Sequence, residues 1–314
     1  MTDDEQPARA SADIEIRPAT HDDYDDVTAF TRDTWDHVED YIPDVFHDWV
    51  DAANSQTLVA DTGDTVVGIA QVVALSPTEG WAQGIRVHPA HRGQGIASAL
   101  TRGLFAWARE QGLSVVRNMV FSWNAAGLGQ SRAVGFEPVT EFRWVHPDPS
   151  VVSDPDAERA RTDADAAWSV WVESDARAHL AGLAVDLDES WAVRELTHEM
   201  LARAAEETAL LVVADGDSRA VTYRARTYER EPGHGDDDRV ETGCEYGVAA
   251  WTDGEAARRL FDVIAADAAA CGASRTRVLI PETPRHVSDA ATLRVALADH
   301  TDFVFAADLD GSGE

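Results

Sequence analysis

The sequence predicts a mixed α/β fold in two tandem domains, and three observations carry that prediction. Residues 58–87 read as hairpin-linked strands, with Asp61-Thr62-Gly63-Asp64 as the first turn. The last of these strands, 81–87, runs through a glycine-rich loop into a helix of clear 3.6-residue period. A strand–helix–strand–helix order then recurs, more faintly, beyond a Pro-, Asp- and Arg-rich stretch with no apolar period. The expected division is a polar, disordered tail over 1–12, a first domain over 13–146, a linker over 147–166 and a second domain over 167–310.

Local pattern predicts the elements in turn. Residues 14–18 form a short strand, and Thr20-x-x-Asp23 is a capping box that opens a helix with Tyr24, Val27 and Phe30 at apolar spacing. Residues 35–50 mix aromatics with acids and carry Pro43, which predicts a loop followed by a short helix. Strands are expected at 58–60, 66–75 and 81–87. A helix over 95–111 places Ile96, Leu100, Leu104 and Trp107 on one face and stops at Gly112. A buried-type strand at 115–121, a short helix at 124–134 and a strand at 139–145 complete the first domain. In the second, 168–172 reads as a strand-like patch, followed by helical stretches through Leu201. Strands at 210–214 and 220–227, a charged loop at 232–238, a strand at 245–251, a helix at 254–271, a strand at 277–280 and a helix at 287–297 follow.

Composition narrows the function. Of 314 residues, 57 are acidic and 26 basic, a formal net charge of −31, and every basic side chain is Arg. The acids are spread along the chain, so the compact state repels itself at low salt. Molar salt shortens the screening length to about 3 Å and removes that repulsion. A high-salt cytoplasm is the favoured reading over an acidic surface made for a basic partner. No basic face is available for phosphate neutralisation, so nucleic acid is not an expected partner. No apolar run approaches the ~18 residues that a bilayer span needs, so no membrane role is expected. The first dozen residues lack the apolar stretch of a secretory signal. Cys244 and Cys271 are too few for a disulfide framework or a four-ligand zinc site, and they fit idle thiols in a reducing cytoplasm.

The chemistry lies in Gly84-Ile85-Arg86-Val87-His88-Pro89-Ala90-His91-Arg92-Gly93-Gln94-Gly95-Ile96-Ala97. Gly93 and Gly95 carry no Cβ, so backbone N–H groups can approach a ligand closely. Those groups and the start of a helix dipole converge on one spot, an anion site suited to a pyrophosphate. Arg92 adds a fixed positive charge. A dinucleotide-binding fingerprint fails at its third glycine, where Ser98 stands, and a P-loop would need a lysine.

This stretch resembles motif A of the GCN5-related N-acetyltransferases, [RQ]-x-x-G-x-[GA], here Arg92-x-x-Gly95-x-Ala97. Asn124 followed by Gly135-Phe136 resembles motif B of that family. The resemblance covers residues 13–146 and implies the acetyltransferase fold with acetyl-CoA as co-substrate. It implies that backbone groups of Ile85 and Val87 meet the acetyl-pantetheine arm, in a gap where this strand splays from 115–121. The Val87 N–H would hold the oxyanion. Arg92, Gly93, Gln94, Gly95, Ile96 and Ala97 would bind the pyrophosphate, and Asn124 would lie beside the pantetheine. An acceptor amine would attack the thioester directly.

Where the family often carries a proton-donating Tyr, seven residues after the motif B asparagine, this chain has Ser131. A departing thiolate with an ordinary pKa of ~8.5 makes little demand on a dedicated acid. Candidate bases are Glu79, Glu39, Asp40 and His37, with Glu79 favoured because the family commonly places a carboxylate near this strand. His88 and His91 are expected to be surface or supporting residues. Trp35, Tyr41, Phe46 and Trp49, interleaved with Asp36, Glu39, Asp40, Asp44 and Asp48, would suit a cationic amine or amino acid. That segment resembles acetyltransferases acting on free amino acids such as histidine, so a small-molecule acceptor is favoured over a protein. The second domain resembles a degenerate copy of the same fold. Its loop, Trp251-Thr252-Asp253-Gly254-Glu255, lacks the Arg and the Gly-x-[Gly/Ala] pair, so Thr252 or Asp253 is expected to cap the helix and no CoA loop is expected.

Overall fold

A computed structural model describes residues 14–32, 40–151, 162–215, 218–230 and 240–310. The tail expected at 1–12, the candidates Trp35, Asp36, His37 and Glu39, and the loop at 232–238 lie outside the described residues. The chain divides into two compact units. The first holds residues 1–116, 130–136 and 307–314, and the second holds 117–129 and 137–306.

The first unit is built on β1 (Glu15–Pro18), α1 (Tyr24–Thr31), α2 (Ile42–Asp51), β2 (Ser55–Asp61), β3 (Val66–Ala74), β4 (Glu79–Val87) and α3 (Ile96–Glu110). The capping box is present: Thr20 N–H donates to Asp23 Oδ2 at 2.7 Å. The strands form antiparallel ladders in the order β1-β2-β3-β4, with Arg17 opposite Val59, Val59 opposite Ile69 and Val73 opposite Trp81. Helices α1 and α2 bury Val27, Phe30, Ile42, Phe46 and Trp49 against Val59, Val66 and Ile69. Helix α3 lies on β2 and β3 and buries Ile96, Leu100, Leu104, Phe105 and Ala108. Trp107, expected on that face, is only half-buried.

Three further elements follow: β5 (Val115–Phe121), α4 (Ala125–Ala133) and β6 (Glu137–His146). The second half of the chain adds α5 (Ala164–Glu173), α6 (Asp175–His179), β7 (Leu183–Val185), β8 (Val193–Glu195), α7 (His198–Glu207), β9 (Ala209–Asp215) and β10 (Ser218–Arg230). It ends with β11 (Glu241–Tyr246), β12 (Ala250–Trp251), α8 (Gly254–Ala270), β13 (Arg275–Pro281), α9 (Pro284–Thr292) and β14 (Ala296–Asp308).

In the second unit β6 is antiparallel to two strands. Val145 faces Leu297 of β14, and Trp144 faces Leu279 of β13. Strand β13 runs parallel to β11, which is antiparallel to β10, and β10 also pairs with β9 and β12. Helix α8 buries Leu260, Phe261, Ile264 and Ala268 in a core with Val145, Tyr246, Val278 and Ile280.

Four expectations need correction. Residues 168–172 are helix, not strand: Ala167, Val170 and Trp171 are buried at i, i+3, i+4 spacing, and Asp163 caps α5 by accepting from Asp165 N–H and Ala166 N–H. The last helix ends at Thr292, and Arg294 takes a left-handed φ of 60° before the chain turns into β14, a strand that the apolar pattern did not mark. The strand expected at 245–251 is two strands, broken at residues 247–249. Strands β7 and β8 form a small hairpin inside the stretch expected to be helical.

Candidate active site at the start of the long N-terminal helix

Strand β4 carries a bulge. Gln83 faces Gln71 and Arg86 faces Ile69, so Gly84 and Ile85 together stand opposite Ala70. Gly84 adopts φ 65°, and a Cβ there would lie 2.3 Å from Cη2 of Trp49, so only glycine fits. Beyond the bulge, His88 N–H donates to Val67 O at 2.9 Å, and one residue earlier Val87 faces Gly68. Hydrogen-bonded and non-bonded pairs alternate in an antiparallel ladder, so the N–H and C=O of Val87 point away from β3. The C=O accepts from Arg92 Nε at 3.2 Å.

The chain then makes a 3-10 turn over Pro89–His91, with His88 Nδ1 accepting from Ala90 N–H. The rings of His88 and His91 stack edge to face at 5.5 Å, and neither residue is buried, which fits a supporting role. Gly93 and Gly95 adopt φ 77° and 80°, and a Cβ on either would meet no protein atom within 4 Å. Crowding inside the chain therefore does not select glycine here; the left-handed backbone does, and it leaves open space over both residues. Gly95 is the N-cap of α3, and no side chain caps that end. A 15-residue helix thus presents its first-turn N–H groups, with Ile96 and Ala97 at their start, beside the exposed Arg92. Gln94 lies in the same exposed loop. These donors, with a fixed cation and no carboxylate capping the helix, fit the pyrophosphate of a CoA thioester.

A polar group on the α2 side of β4 was not evident from the sequence. The side chain of Asp40 is fully buried, and its Oδ2 accepts from Arg86 Nε at 2.7 Å. Asp40 Oδ1 accepts from Ile42 N–H at the start of α2, and Arg86 Nη1 donates to Ile85 O at 3.1 Å. Asp40 is thus committed to an ion pair, a poor state for a general base. Phe46 and Trp49 belong to the core, whereas Tyr41 is exposed and lies 5.9 Å from the Arg86 guanidinium. Only a spatial neighbour 46 residues away reveals the Asp40–Arg86 pair, and no local pattern announces it.

Glu79 is not brought to the loop. It opens β4 in the turn after β3, where Ser76 Oγ donates to its carboxylate at 3.2 Å. Six residues of strand separate it from Ile85 (85 − 79), about 20 Å at the ordinary rise. Ser131 is buried in the last turn of α4, and its carbonyl accepts from Phe136 N–H at 3.0 Å. Asn124, in the second unit, caps α4: its Oδ1 accepts from Gly127 N–H at 2.9 Å.

In the second unit Asp253 caps α8, its Oδ1 accepting from Glu255 N–H and Ala256 N–H at 3.0 and 2.9 Å. The N-terminus of α8 is therefore closed by a carboxylate. Just before it, in the break between β11 and β12, Ala249 N–H donates to Leu279 O at 2.8 Å.

Residues 21–136 match the model of the Acetyltransferase (GNAT) family. Histidine N-acetyltransferase of Oreochromis niloticus is 28% identical over 96 residues, 30% of this chain and 28% of the relative. An L-methionine sulfoximine/L-methionine sulfone acetyltransferase of Pseudomonas paraeruginosa is 33% identical over 97 residues, 28% of this chain and 56% of the relative. The chain therefore spans little more than a quarter of the first relative's length and about half of the second's. The crystal structure of a GCN5-related N-acetyltransferase from Sphaerobacter thermophilus superposes with a TM-score of 0.60 at 12% identity, covering 94% of this chain and 96% of that one. At that identity the likeness is one of fold, and it extends over both halves of the chain.

Proposed function

We propose that the chain is an acetyl-CoA-dependent N-acetyltransferase acting on a primary amine, with a small amine or free amino acid as acceptor. The observation that carries this reading is the uncapped start of α3 behind Gly93 and Gly95, set directly after a strand whose last residue, Val87, turns its N–H away from β3. Arg92 and the N–H groups from Gly93 to Ala97 hold the pyrophosphate. Ile85 and Val87 present backbone to the acyl arm. The acceptor nitrogen attacks the thioester carbonyl, and the Val87 N–H stabilises the charge that develops on oxygen. The carbon–sulfur bond then breaks, and the nitrogen loses its proton. Ser131 is the proposed group beside the departing sulfur. Glu79 stands at the far end of β4 from the loop, so a water molecule is the proposed proton acceptor where the amine arrives neutral.

Both curated relatives are named for small amino-acid acceptors, which supports that class over a protein acceptor. The C-terminal half is read as a degenerate copy of the fold without a CoA site, because Asp253 closes the start of α8 and the Ala249–Leu279 bond keeps its strands together. Among the described residues no helix is long and apolar enough to cross a membrane. A cytoplasm rich in salt is the setting that the charge of −31 favours.

The rival reading, a CoA-sensing module without turnover, rests on the absence of the family's tyrosine at Ser131. Calorimetric titration of acetyl-CoA into the full chain in molar KCl, followed by a screen of free amino acids for CoA release, tests both. One site per chain with acetylated product supports the enzyme. One site without product supports the sensor, and two sites would overturn the reading of the second half.

A further inference from the structure

Resting on the acetyl-transfer reading above, we infer that Asp40 and Arg86 are a positioning pair that fixes the β4 bulge and, through it, the direction of the Val87 N–H. The buried Asp40 carboxylate has two fixed duties. Oδ1 accepts from Ile42 N–H at 3.1 Å, which anchors the first turn of α2, and Oδ2 accepts from Arg86 Nε at 2.7 Å. Arg86 turns its guanidinium back on its own strand, and Nη1 donates to Ile85 O at 3.1 Å. Ile85 is one of the two bulge residues that share Ala70 as their opposite, and its carbonyl accepts this donor. Arg86 itself sits between the bulge and Val87. Trp49 of α2, the helix that Asp40 precedes, lies against Gly84. One contact from α2 and one from the residue leading into it thus pin the two residues whose irregular backbone sets the strand's exit.

The chemistry selects these residue types. Arg carries several donors in a rigid fork, so it can hold Asp40 and Ile85 O together. Lys is a point donor and cannot span both partners. A carboxylate buried to this degree needs a cation opposite it, so Arg86 also keeps the start of α2 in place. Among the described residues, Asp40 accepts from Arg86 and from the Ile42 N–H, and the Tyr41 ring lies beyond the guanidinium. With its carboxylate engaged in this way, its proposed contribution to turnover is geometric.

The test compares the full wild-type chain with Arg86→Lys and Asp40→Asn in molar KCl. Asn at residue 40 still accepts from Ile42 N–H, which guards against simple unfolding. Hydrogen exchange of the backbone at residues 84–87 should accelerate about tenfold in both variants while α3 is unmoved. Acetyl-CoA affinity should stay within about threefold, whereas kcat with free L-histidine should fall roughly 100-fold, the scale of an ångström's misplacement. The pH profile of kcat should keep its shape. Unchanged exchange at 84–87 overturns the pair as a positioning device. So does loss of the acidic limb in Asp40→Asn, which would make Asp40 the base. If the wild type neither binds acetyl-CoA nor turns over, the functional reading fails, and the exchange result still decides whether the pair holds the bulge.

Discussion

Trp49 of α2 lies against the backbone of Gly84 in β4, so that an added Cβ would stand 2.3 Å from Cη2 and 2.6 Å from Cζ3 of the indole. The bulge and the helix are therefore fitted to one another through the absence of a side chain. Gly84 also takes φ 65°. A left-handed backbone costs a non-glycine residue roughly 1–2 kcal/mol, and overpacking adds roughly 1–3 kcal/mol. Gly84→Ala should thus lose about 2–5 kcal/mol of unfolding free energy, read by denaturant titration in molar KCl. Trp49→Phe in the same chain should recover the packing share and not the backbone share. A Gly84→Ala midpoint equal to wild type would mean that the indole does not rest on the bulge.

The glycine loop predicts a different outcome, because nothing in the protein crowds it. Gly95→Ala should cost only the backbone share, about 1–2 kcal/mol of stability, since a Cβ there meets no atom within 4 Å. It should weaken acetyl-CoA binding at least tenfold by standing where the pyrophosphate approaches. Arg92→Glu should leave the melting temperature unchanged, because Arg92 is exposed, and should abolish saturable heat on titration with acetyl-CoA. An unchanged affinity would remove the loop from the site.

What the sequence made legible was local. The helix α3 and its loop were readable because positive-φ glycines and a 3.6-residue period are written in consecutive residues. The caps at Thr20–Asp23 and at Asp253 were readable for the same reason. Long-range relations were not. Asp40 meets Arg86 across 46 residues, and β6 finds β13 and β14 in the far half of the chain. A family resemblance places a carboxylate near β4 without saying at which end, and Glu79 opens the strand. Residues 168–172 misled because a short apolar run has no period of its own; the Asp163 cap was the signal that decides for helix.

The charge of −31 over 314 residues should make stability salt-dependent. Acids outnumber Arg 57 to 26 over the whole sequence, so lowering salt lengthens the screening length from about 3 Å at 1 M to about 10 Å at 0.1 M and restores repulsion among exposed carboxylates. The unfolding midpoint, followed by circular dichroism, should rise steadily from 0.1 M to 2 M KCl. The same series in sucrose, which adds no ions, should not reproduce the full rise. A midpoint indifferent to KCl would assign the acidic surface to a basic partner.

His286 and Asp302, both buried in the second unit, should make opposite contributions to stability as pH changes. Burial, opposed by Asp175, pushes His286 down to about 4, and burial pushes Asp302 up to about 7. Asp175 Oδ1 lies 3.6 Å from His286 Nε2, and Thr283 Oγ lies 2.7 Å from Nδ1. Between the folded value and an ordinary ~6.5, the unfolded chain protonates this histidine and the native chain does not. Stability from His286 is therefore present above about 6.5 and lost as pH falls towards 4, at up to about 1.4 kcal/mol per unit. Asp302 runs the other way: the native chain keeps a proton that the unfolded chain has released, so its contribution is lost as pH rises from about 4 to 7. Over pH 4 to 6.5 the two slopes cancel in the wild type. Relative to wild type, Asp302→Asn should become more stable as pH rises across this window, by up to about 4 kcal/mol at pH 7. His286→Gln should become less stable over the same rise, by up to about 3 kcal/mol at pH 6.5. Denaturant titrations at pH 4, 5, 6 and 7 in molar KCl read both differences directly. Parallel pH profiles for Asp302→Asn and wild type would show that the carboxyl is charged and solvated in the native state.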